Sequence, residues 1–243
     1  MKLIESIKLR HRANKYKNKD DRGGIAYVNS AIKPGQTVFD IGAHKAGYLY
    51  FMRKIVGNQG QVYAFEPQSI LYNYIKKIKE LFHWNNVTIE HLALSDSSAT
   101  VKLYIPNNKV SKATSPGATI VEHKEYPNIV ATENVATETL DAYCNNHNLK
   151  PAFLKMDVEG NELKVLKGGI EILKKYKPKI LVEIEARHVG NEKVLETFTF
   201  MELMGYKGYI LHNLDHIPIA AFSFDKYQNT NDMGNYCNNF IFE

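Results

Sequence analysis

The chain has 243 residues, of which 44% are hydrophobic and 23% are charged. This is typical of a soluble globular protein that folds as one α/β domain with at most an appendage. It has no run of 18 apolar residues and no secretory signal, so we expect a cytoplasmic protein without a membrane span. Its two cysteines, Cys144 and Cys237, lie far apart without metal-ligand spacing, which predicts reduced thiols and no metal site.

The net charge of +5 is concentrated at the N-terminal end. Residues 1–22 contain eight Lys or Arg and three acidic residues, so the rest of the chain has no net charge. The apolar spacing of Leu3, Ile4 and Ile7 predicts a short amphipathic helix, and we expect residues 1–35 to be a basic helical segment that packs on the main domain. Two interpretations of its charge stay open: a clamp for a phosphorylated, nucleic-acid or membrane partner, or a solvated helix face.

Predicted strands and helices alternate along the rest of the chain. Strands are predicted over 37–40, 61–65, 87–90, 99–105, 134–139, 152–156, 179–184, 206–211 and 236–242, and helices over 24–32, 47–56, 69–83, 140–146, 161–175 and 191–204. This alternation favours a parallel sheet with helices on both faces, and the last two strands are predicted to pair antiparallel, which makes the sheet mixed. The polar residues 106–131 form a long connection and are predicted to be a lid or substrate loop.

Acidic side chains recur where the predicted strands end. Asp40, Glu66 and Asp96 follow the first three strands, Asp157 and Glu159 follow the strand over 152–156, and Glu183 or Glu185 follows the next. In open α/β sheets, ligands bind beyond the carboxyl ends of the strands. The sequence therefore predicts that a binding site lies at this edge of the sheet.

The turn after the first strand, DIGAHKAG over 40–47, favours S-adenosylmethionine (SAM) over a dinucleotide. A dinucleotide needs G-x-G-x-x-G beside its pyrophosphate, whereas this turn has only Gly42 and Gly47, and Asp40 would repel phosphates. SAM has no phosphate and carries an ammonium and a sulfonium, which a carboxylate favours. Its own carboxylate is expected to meet backbone N–H groups or Lys45.

Two further acids suit the rest of that cofactor. An ionised carboxylate accepts hydrogen bonds through two oxygens, so Glu66 is expected to accept both ribose hydroxyls. Asp96 is expected to take the adenine amino group, with Ser95 or the backbone of residues 93–94 beside it.

The segments DIGAHKAGY, YAFEP, ALSD and KMDVEGNELKVLKGG, in this order, resemble the FkbM-type family of SAM-dependent methyltransferases over about residues 36–186. The resemblance implies a class I, Rossmann-like methyltransferase domain over 36–243, with a seven-stranded sheet whose last strand is antiparallel. The cofactor contacts predicted on these motifs are Asp40, Gly42, His44, Gly47, Glu66, Pro67, Ser95, Asp96 and Asp157. His44 replaces the usual Asn, and Ala46 lies where Gly is common, which is tolerable only at negative φ.

Four residues are candidates for the acceptor side. O-methylation needs in-line positioning of the hydroxyl and a base for its proton. Asp157, Glu159, Glu185 and His188 are predicted to lie at the same edge of the cleft, and His188 has the most suitable pKa for a base. The structural alternatives are a helix cap for Asp157, a capping turn for Glu159 and an exposed loop for His188. The three carboxylates could instead hold Mg²⁺, although no sequence pattern requires a metal.

The leading functional hypothesis is SAM-dependent O-methylation of a sugar, glycan or other small metabolite. The first alternative is a methyltransferase that holds nucleic acid or protein through its basic N-terminal segment, and the zero net charge of residues 23–243 makes nucleic acid the weaker partner. The second is a SAM-binding module without catalysis. Detectable turnover on any acceptor distinguishes this module from the two enzymes.

Overall fold

The computed structural model describes residues 2–106, 117–121 and 129–243. Its strands are β1 Thr37–Ile41, β2 Gln61–Phe65, β3 Val87–Glu90, β4 Ala93–Ser95, β5 Ala99–Pro106, β6 Ile129–Thr139, β7 Phe153–Met156, β8 Lys179–Glu183, β9 Gly208–His212, β10 Asp215–Pro218 and β11 Asn239–Phe242. Its α-helices are α1 Lys2–Lys15, α2 Arg22–Ala31, α3 Gly47–Val56, α4 Ser69–Phe82, α5 Leu140–Asn146, α6 Glu162–Lys167, α7 Ile170–Tyr176, α8 Ala186–Val189, α9 Asn191–Leu203 and α10 Phe224–Tyr227. A π-helical turn, Tyr16–Asp20, joins α1 to the segment before α2, and a 3₁₀ turn spans Ile219–Ala221.

The main sheet is mixed, and its strand order is β10-β9-β11-β8-β7-β1-β2-β3. The five strands from β3 to β8 pair in parallel, whereas β11 pairs antiparallel with both β8 and β9. The predicted α/β class and the antiparallel pair at the C-terminal end are therefore confirmed. The sheet has eight strands instead of the expected seven, because the short segment Asp215–Pro218 folds back on β9 as an edge hairpin.

Two predicted strands belong to a separate sheet. β5 and β6 pair antiparallel, and β4 pairs in parallel with β6, which gives the order β4-β6-β5. The backbone of Thr119 exchanges hydrogen bonds with that of Tyr104, at 2.8 and 3.1 Å, and so attaches residues 117–121 to β5. Most of the predicted lid, residues 107–116 and 122–128, lies outside the described residues, so its role stays a prediction.

The expected helix over 161–175 is interrupted at Gly168 and Gly169, which separate α6 from α7. A Cβ on Gly168 would overlap the backbone oxygen of Ser95, and one on Gly169 would lie 2.6 Å from Cδ2 of Leu140. The two glycines therefore let the helix break pack directly on β4 and α5. The apolar spacing correctly predicted helical structure on both sides of the break. It could not predict the break itself, which depends on a close approach to other parts of the chain.

The N-terminal segment is helical, as predicted, but it does not pack through the residues expected. Leu9 and Ala13 are the buried positions of α1, whereas Leu3, Ile4 and Ile7 are 74%, 56% and 59% exposed. The packing is decided by Arg12, whose Nη1 donates to the carbonyl oxygen of Lys45 at 2.6 Å and so fixes the rotation of the helix. No helix in the described part of the chain is long and apolar enough to cross a membrane.

The sheet separates two cores. On β1, Phe39 and Ile41 contribute to the core beneath α5, α6 and α7, and Val38 contributes to the core beneath α2 and α3. Alternation along the strand places Asp40 on the same face as Val38. Because β1 and β7 are neighbours, the turns that follow them meet at one edge of the sheet.

Candidate active site

A cavity of about 640 Å³ lies beyond the carboxyl ends of β1, β2, β7 and β8. Its volume is within the range of small-molecule sites. It is lined by apolar groups and by a set of polar ones, namely His44, Glu66, Gln68, Thr119, Asp157, Glu159, Asn161, Glu183, Arg187 and His188. Seven of the sequence-predicted site residues line it: Gly42, His44, Glu66, Pro67, Asp157, Glu159 and His188.

The turn after β1 is held against its two neighbours. The backbone N–H groups of Gly42 and Ala43 both donate to the carbonyl oxygen of Phe65, at 3.0 Å, and the N–H of Asp157 donates to Ile41 at 3.0 Å. Gly42 has φ +83°, and a Cβ at this position would overlap the backbone oxygen of Asp157. The glycine is therefore required both by its left-handed conformation and by the close approach of the turn after β7.

The next part of the turn takes an unexpected path. His44 and Ala46 have φ of 48° and 64°, so the expectation that alanine is tolerable at position 46 only with negative φ is wrong. A left-handed alanine costs about 1–2 kcal/mol, and the structure tolerates it because Ala46 is fully buried and its N–H donates to Ala43 at 2.9 Å. This path turns the N–H of His44 toward Glu66, which accepts it at 2.7 Å.

Glu66 lies at the end of β2 and is only 3% exposed, although it lines the cavity. Its oxygens accept the N–H groups of His44 and Gln68, at 2.7 and 2.9 Å. Burial raises the pKa of Glu66 to about 8, and these two hydrogen bonds oppose the rise. When Glu66 is ionised, each of its oxygens has two lone pairs, so both can still accept a hydroxyl from the cavity side.

We expect the ligand-free protein to lose stability as pH rises, partly through Glu66. Because burial raises its folded pKa to about 8, above the unfolded value of 4.5, its contribution is present below pH 4.5 and is lost as pH rises through 8. The Glu66→Gln variant cannot ionise and should lose about 2–4 kcal/mol less of its free energy of unfolding between pH 5 and pH 8.5.

Denaturant titrations across this pH range measure the effect. The slope against pH is the quantity to compare, since glutamine also replaces one acceptor oxygen at every pH. Glu196→Gln, on an exposed side chain paired with Lys167, is the control and should follow the wild type. Parallel curves for wild type and Glu66→Gln would contradict the prediction.

Asp40 lies below the turn instead of lining the cavity. Its carboxylate is fully buried, and neither oxygen has a hydrogen-bond partner of normal geometry among the described residues. Burial raises its pKa to about 6, and the positive charge of Lys155, its register neighbour on β7, opposes the rise. Asp40 would therefore influence a ligand only through the electric field of its charge, and not by direct contact.

Lys155 does not line the cavity, but it lies beside Asp157, and the sequence alone did not predict a role for it. Its side chain is 7% exposed, with Nζ 3.3 Å from Oδ2 of Asp157 and 5.0 Å from the ring centre of Tyr48. Burial alone would lower its pKa, but Asp157, Asp40 and Glu183 together raise it, so the amine stays charged. Alternation along β7 was the available signal, since it places Lys155 and Asp157 on one face.

Asp157, Glu159 and His188 meet at the opposite wall of the cavity. Nδ1 of His188 lies 3.1 Å from Oε2 of Glu159, and Glu159 has φ +54° in the turn before α6. Burial raises the pKa of Glu159 to about 9, with further contributions from the charges of Asp157, Glu162 and Glu185. The carboxyl group and the imidazole are within hydrogen-bonding distance of each other, which is a suitable arrangement for proton transfer.

Glu185 is not brought into this group. It accepts hydrogen bonds from Arg187, Tyr236 and Asn238, at 2.9, 2.8 and 2.7 Å. Burial alone would raise its pKa, but these hydrogen bonds, together with one from Glu183, lower it. Its place at the cavity wall is taken by Glu183, whose pKa is raised by burial and then by Asp157.

Gly47, Ser95 and Asp96 also lie outside the cavity wall. Gly47 opens α3, and a Cβ on it would lie 3.0 Å from the ring of Tyr16. Ser95 is buried and Asp96 is exposed. The cavity is instead lined there by residues 92–94 and by Asn161. Nδ2 of Asn161 donates to the carbonyl oxygen of Leu94 at 2.9 Å, and its Oδ1 is buried with no hydrogen-bond partner in the part of the chain that the structure describes.

The three carboxylates considered for Mg²⁺ do not converge. Asp157 and Glu159 line the cavity, but Glu185 is held by the hydrogen bonds described above. Within residues 2–106, 117–121 and 129–243, no group of three His, Cys, Asp or Glu side chains is arranged to hold a metal ion.

The fold and the cavity together define a class I SAM-dependent methyltransferase domain. A model of the Methyltransferase FkbM domain matches residues 40–210, and the chain therefore belongs to the FkbM methyltransferase family. The cofactor of this domain is S-adenosylmethionine. The predicted family and cofactor are thus confirmed.

One solved structure supports the fold, and a second is similar at a lower TM-score. Methyltransferase FkbM from Methylobacillus flagellatus KT is 14% identical with a TM-score of 0.56, over 97% of this chain and 58% of that chain. A SAM-dependent O-methyltransferase from Thermotoga maritima is 11% identical with a TM-score of 0.48, over 95% of this chain and 69% of that chain. The chain thus spans little more than half of the Methylobacillus protein, and these likenesses concern the fold alone. No curated protein sequence matches the chain significantly.

Proposed function

We propose that the protein methylates a hydroxyl oxygen of a sugar, glycan or other small hydroxylated metabolite. The observation that supports this function best is the pair formed by Glu159 and His188 at the cavity wall, with 3.1 Å between carboxylate oxygen and Nδ1. A hydroxyl must lose its proton when it is methylated, and an imidazole oriented by a carboxyl group is suited to accept that proton.

The residues of the cavity fit the cofactor. The buried Glu66 is an acceptor for a ribose diol, and the apolar wall formed by Phe65 and residues 92–94 suits an adenine ring. Asn161 lines the cavity, and its Oδ1 has no hydrogen-bond partner among the described residues, so we assign this oxygen to the adenine amino group. Asp157, which Lys155 holds at 3.3 Å, is placed to attract an ammonium group.

When bound, S-adenosylmethionine supplies a methyl group that is already activated by its positive sulfur. The chain's own task is to hold the acceptor oxygen in line, to exclude water and to take up the proton. When Glu159 is ionised, it accepts the hydrogen on Nδ1 of His188, and the lone pair of Nε2 takes the acceptor's proton. The Glu159–His188 pair thus acts as the general base.

Two measurements test the proposal. Isothermal titration with SAM and with S-adenosylhomocysteine should show micromolar-scale binding, on the order of −8 kcal/mol. Mass spectrometry across a panel of sugars, nucleotide sugars and lipid-linked glycans should then show the mass gain of one CH₂ unit, with Asp157→Asn as a control of reduced activity. Absence of heat would contradict cofactor binding, and binding without turnover on any acceptor would leave a non-catalytic module.

We expect His188→Ala to lower kcat about 100-fold while SAM affinity changes little, since general base catalysis contributes at least that factor. His216→Ala is the matched control, because His216 is exposed on the edge hairpin and does not line the cavity. Its kcat should equal that of the wild type. An unchanged kcat in His188→Ala would contradict the role assigned to the pair.

A further inference from the structure

A second cavity, of about 510 Å³, lies between α1 and the turn after β1. We call it the basic groove, and its described walls are Ile7, Lys8, His11, Arg12, Lys15, Tyr16, His44 and Lys45. Tyr16 and His44 also line the active-site cavity, so the two spaces share a wall. The basic groove therefore lies directly beside the place where the methyl acceptor is expected.

The basic groove is built by specific contacts between the helix and the turn. Lys8, His11, Arg12 and Lys15 follow one another at intervals of three, one and three residues, so they share one face of α1. Nη1 of Arg12 donates to the carbonyl oxygen of Lys45 at 2.6 Å and to the hydroxyl of Tyr74 at 3.1 Å. These bonds fix this face of α1 opposite the turn.

The described lining of the basic groove combines several basic side chains with no acidic one. None of its described lining residues is acidic, and the nearest carboxylate on α1, Glu5, lies 3.4 Å from Lys8 in an exposed pair of small energetic value. Burial and the charge of Arg12 both lower the pKa of Lys45. Such a site attracts an anion, since each charge-assisted hydrogen bond is about twice as strong as a neutral one.

His44 supplies an independent indication of a ligand at the shared wall. Its Nε2 is buried and has no hydrogen-bond partner among the described residues. Burial lowers the pKa of His44 to about 4, so the imidazole is neutral at physiological pH. A buried polar atom of this kind is normally paired, and His44 lines both the basic groove and the active-site cavity.

We propose that the basic groove binds a phosphate or pyrophosphate group of the methyl acceptor while the hydroxyl to be methylated lies in the active-site cavity. The inference rests on the proposed function and narrows its substrate class to phosphorylated acceptors. It also assigns a role to the N-terminal positive charge. Of the two interpretations that the sequence allowed, it favours a clamp for a phosphorylated partner. The carboxylate of the cofactor is an alternative ligand of the basic groove. A single carboxylate, however, is small compared with the groove's volume of about 510 Å³ and could contact only some of its basic side chains.

The first experiment titrates inorganic pyrophosphate into the full chain, with and without saturating S-adenosylhomocysteine. We expect binding in both cases, with similar affinity, because the basic groove and the cofactor occupy different spaces. The double variant Lys8→Gln/Lys45→Gln should bind pyrophosphate at least tenfold more weakly. Lys2→Gln, on the same helix but outside the basic groove, is the matched control and should bind like the wild type.

The second experiment separates the sources of the phosphate. Titration with UDP tests a soluble nucleotide-linked acceptor, and co-sedimentation with phosphatidylcholine vesicles containing phosphatidic acid tests a lipid headgroup. Weakening of either interaction by the double variant, but not by Lys2→Gln, supports the proposal and names the source. Binding of neither probe and no binding of pyrophosphate would overturn it.

Competition between pyrophosphate and S-adenosylhomocysteine would overturn the proposal in another way, because the basic groove would then belong to the cofactor. These outcomes differ from a failure of the proposed function. Without SAM binding or methyl transfer, the enzyme assignment fails even if pyrophosphate binds. With SAM binding and no anion binding, only the substrate class fails.

Discussion

Gly42→Ala should destabilise the protein by about 3–4 kcal/mol. A residue with a Cβ pays about 1–2 kcal/mol for the left-handed conformation that Gly42 adopts at φ +83°. The added methyl would also overlap the backbone oxygen of Asp157, and overpacking of this kind costs about 1–3 kcal/mol. A backbone atom cannot rotate away as a side chain can, so the turns after β1 and β7 must separate.

Gly35→Ala is the control that separates these two costs. Gly35 has nearly the same φ, +81°, but a Cβ on it would have no atom within 4 Å. It should lose only about 1–2 kcal/mol, through conformation alone. Urea denaturation of both variants measures the difference, and titration with SAM measures the effect on the site. Equal losses in the two variants would show that the turns can separate without cost.

Separation of the two turns should also weaken cofactor binding. Gly42 and Ala43 hold the turn through Phe65, and the same path places the N–H of His44 on Glu66. A displaced turn therefore disturbs the buried carboxylate that we assign to the ribose. In Gly35→Ala, which lies outside the cavity wall, SAM affinity should be that of the wild type.

Lys155→Met should destabilise the protein by about 3–5 kcal/mol at neutral pH. Methionine keeps much of the volume of the side chain but removes the positive charge that lies among Asp40, Asp157 and Glu183. Breaking a buried charge group by removing one partner leaves uncompensated carboxylates, and this is costly. Thermal or chemical denaturation measures the loss.

Lys167→Met is the matched control. Lys167 pairs with Glu196 at 2.7 Å, but the two side chains are 42% and 47% exposed, so the loss should be no more than about 1 kcal/mol. A loss in Lys155→Met as small as in this control would contradict the role assigned to the buried lysine.

The pH dependence gives a second check on Lys155. Burial already raises the pKa of Asp40 to about 6 in the presence of the lysine. Without the charge of Lys155 the pKa of Asp40 rises further. The variant is therefore destabilised most at the pH values at which this carboxyl group would be ionised in the unfolded chain. Its deficit relative to the wild type should therefore shrink as pH falls from 7 to 5. Addition of Asp40→Asn should recover part of the stability at pH 7.

Sequence patterns predicted most strands and helices correctly, because apolar periodicity depends on neighbouring residues of the chain. The strands Gln61–Phe65 and Val87–Glu90 and the helix Gly47–Val56 have the predicted bounds. The predictions failed where residues distant in sequence come into close contact. Gly168 and Gly169, for example, interrupt a predicted helix where it packs on β4 and α5. The rotation of α1 was likewise set by Arg12 and the turn, and its apolar spacing gave no information about either.

The sequence by itself determined the family, the cofactor and the edge of the sheet where the site lies, because each depends on motifs that follow strand ends. Only the tertiary structure decided which acids face the cavity. Glu66, Asp157 and Glu159 do, whereas Asp40 is buried beneath the turn and Glu185 is hydrogen-bonded to other residues. The physical reason is that burial, register and hydrogen bonding are set by neighbouring strands. For the same reason, the role of Lys155 is visible only once β7 is paired with β1. The basic groove is likewise visible only once α1 is packed against the turn after β1.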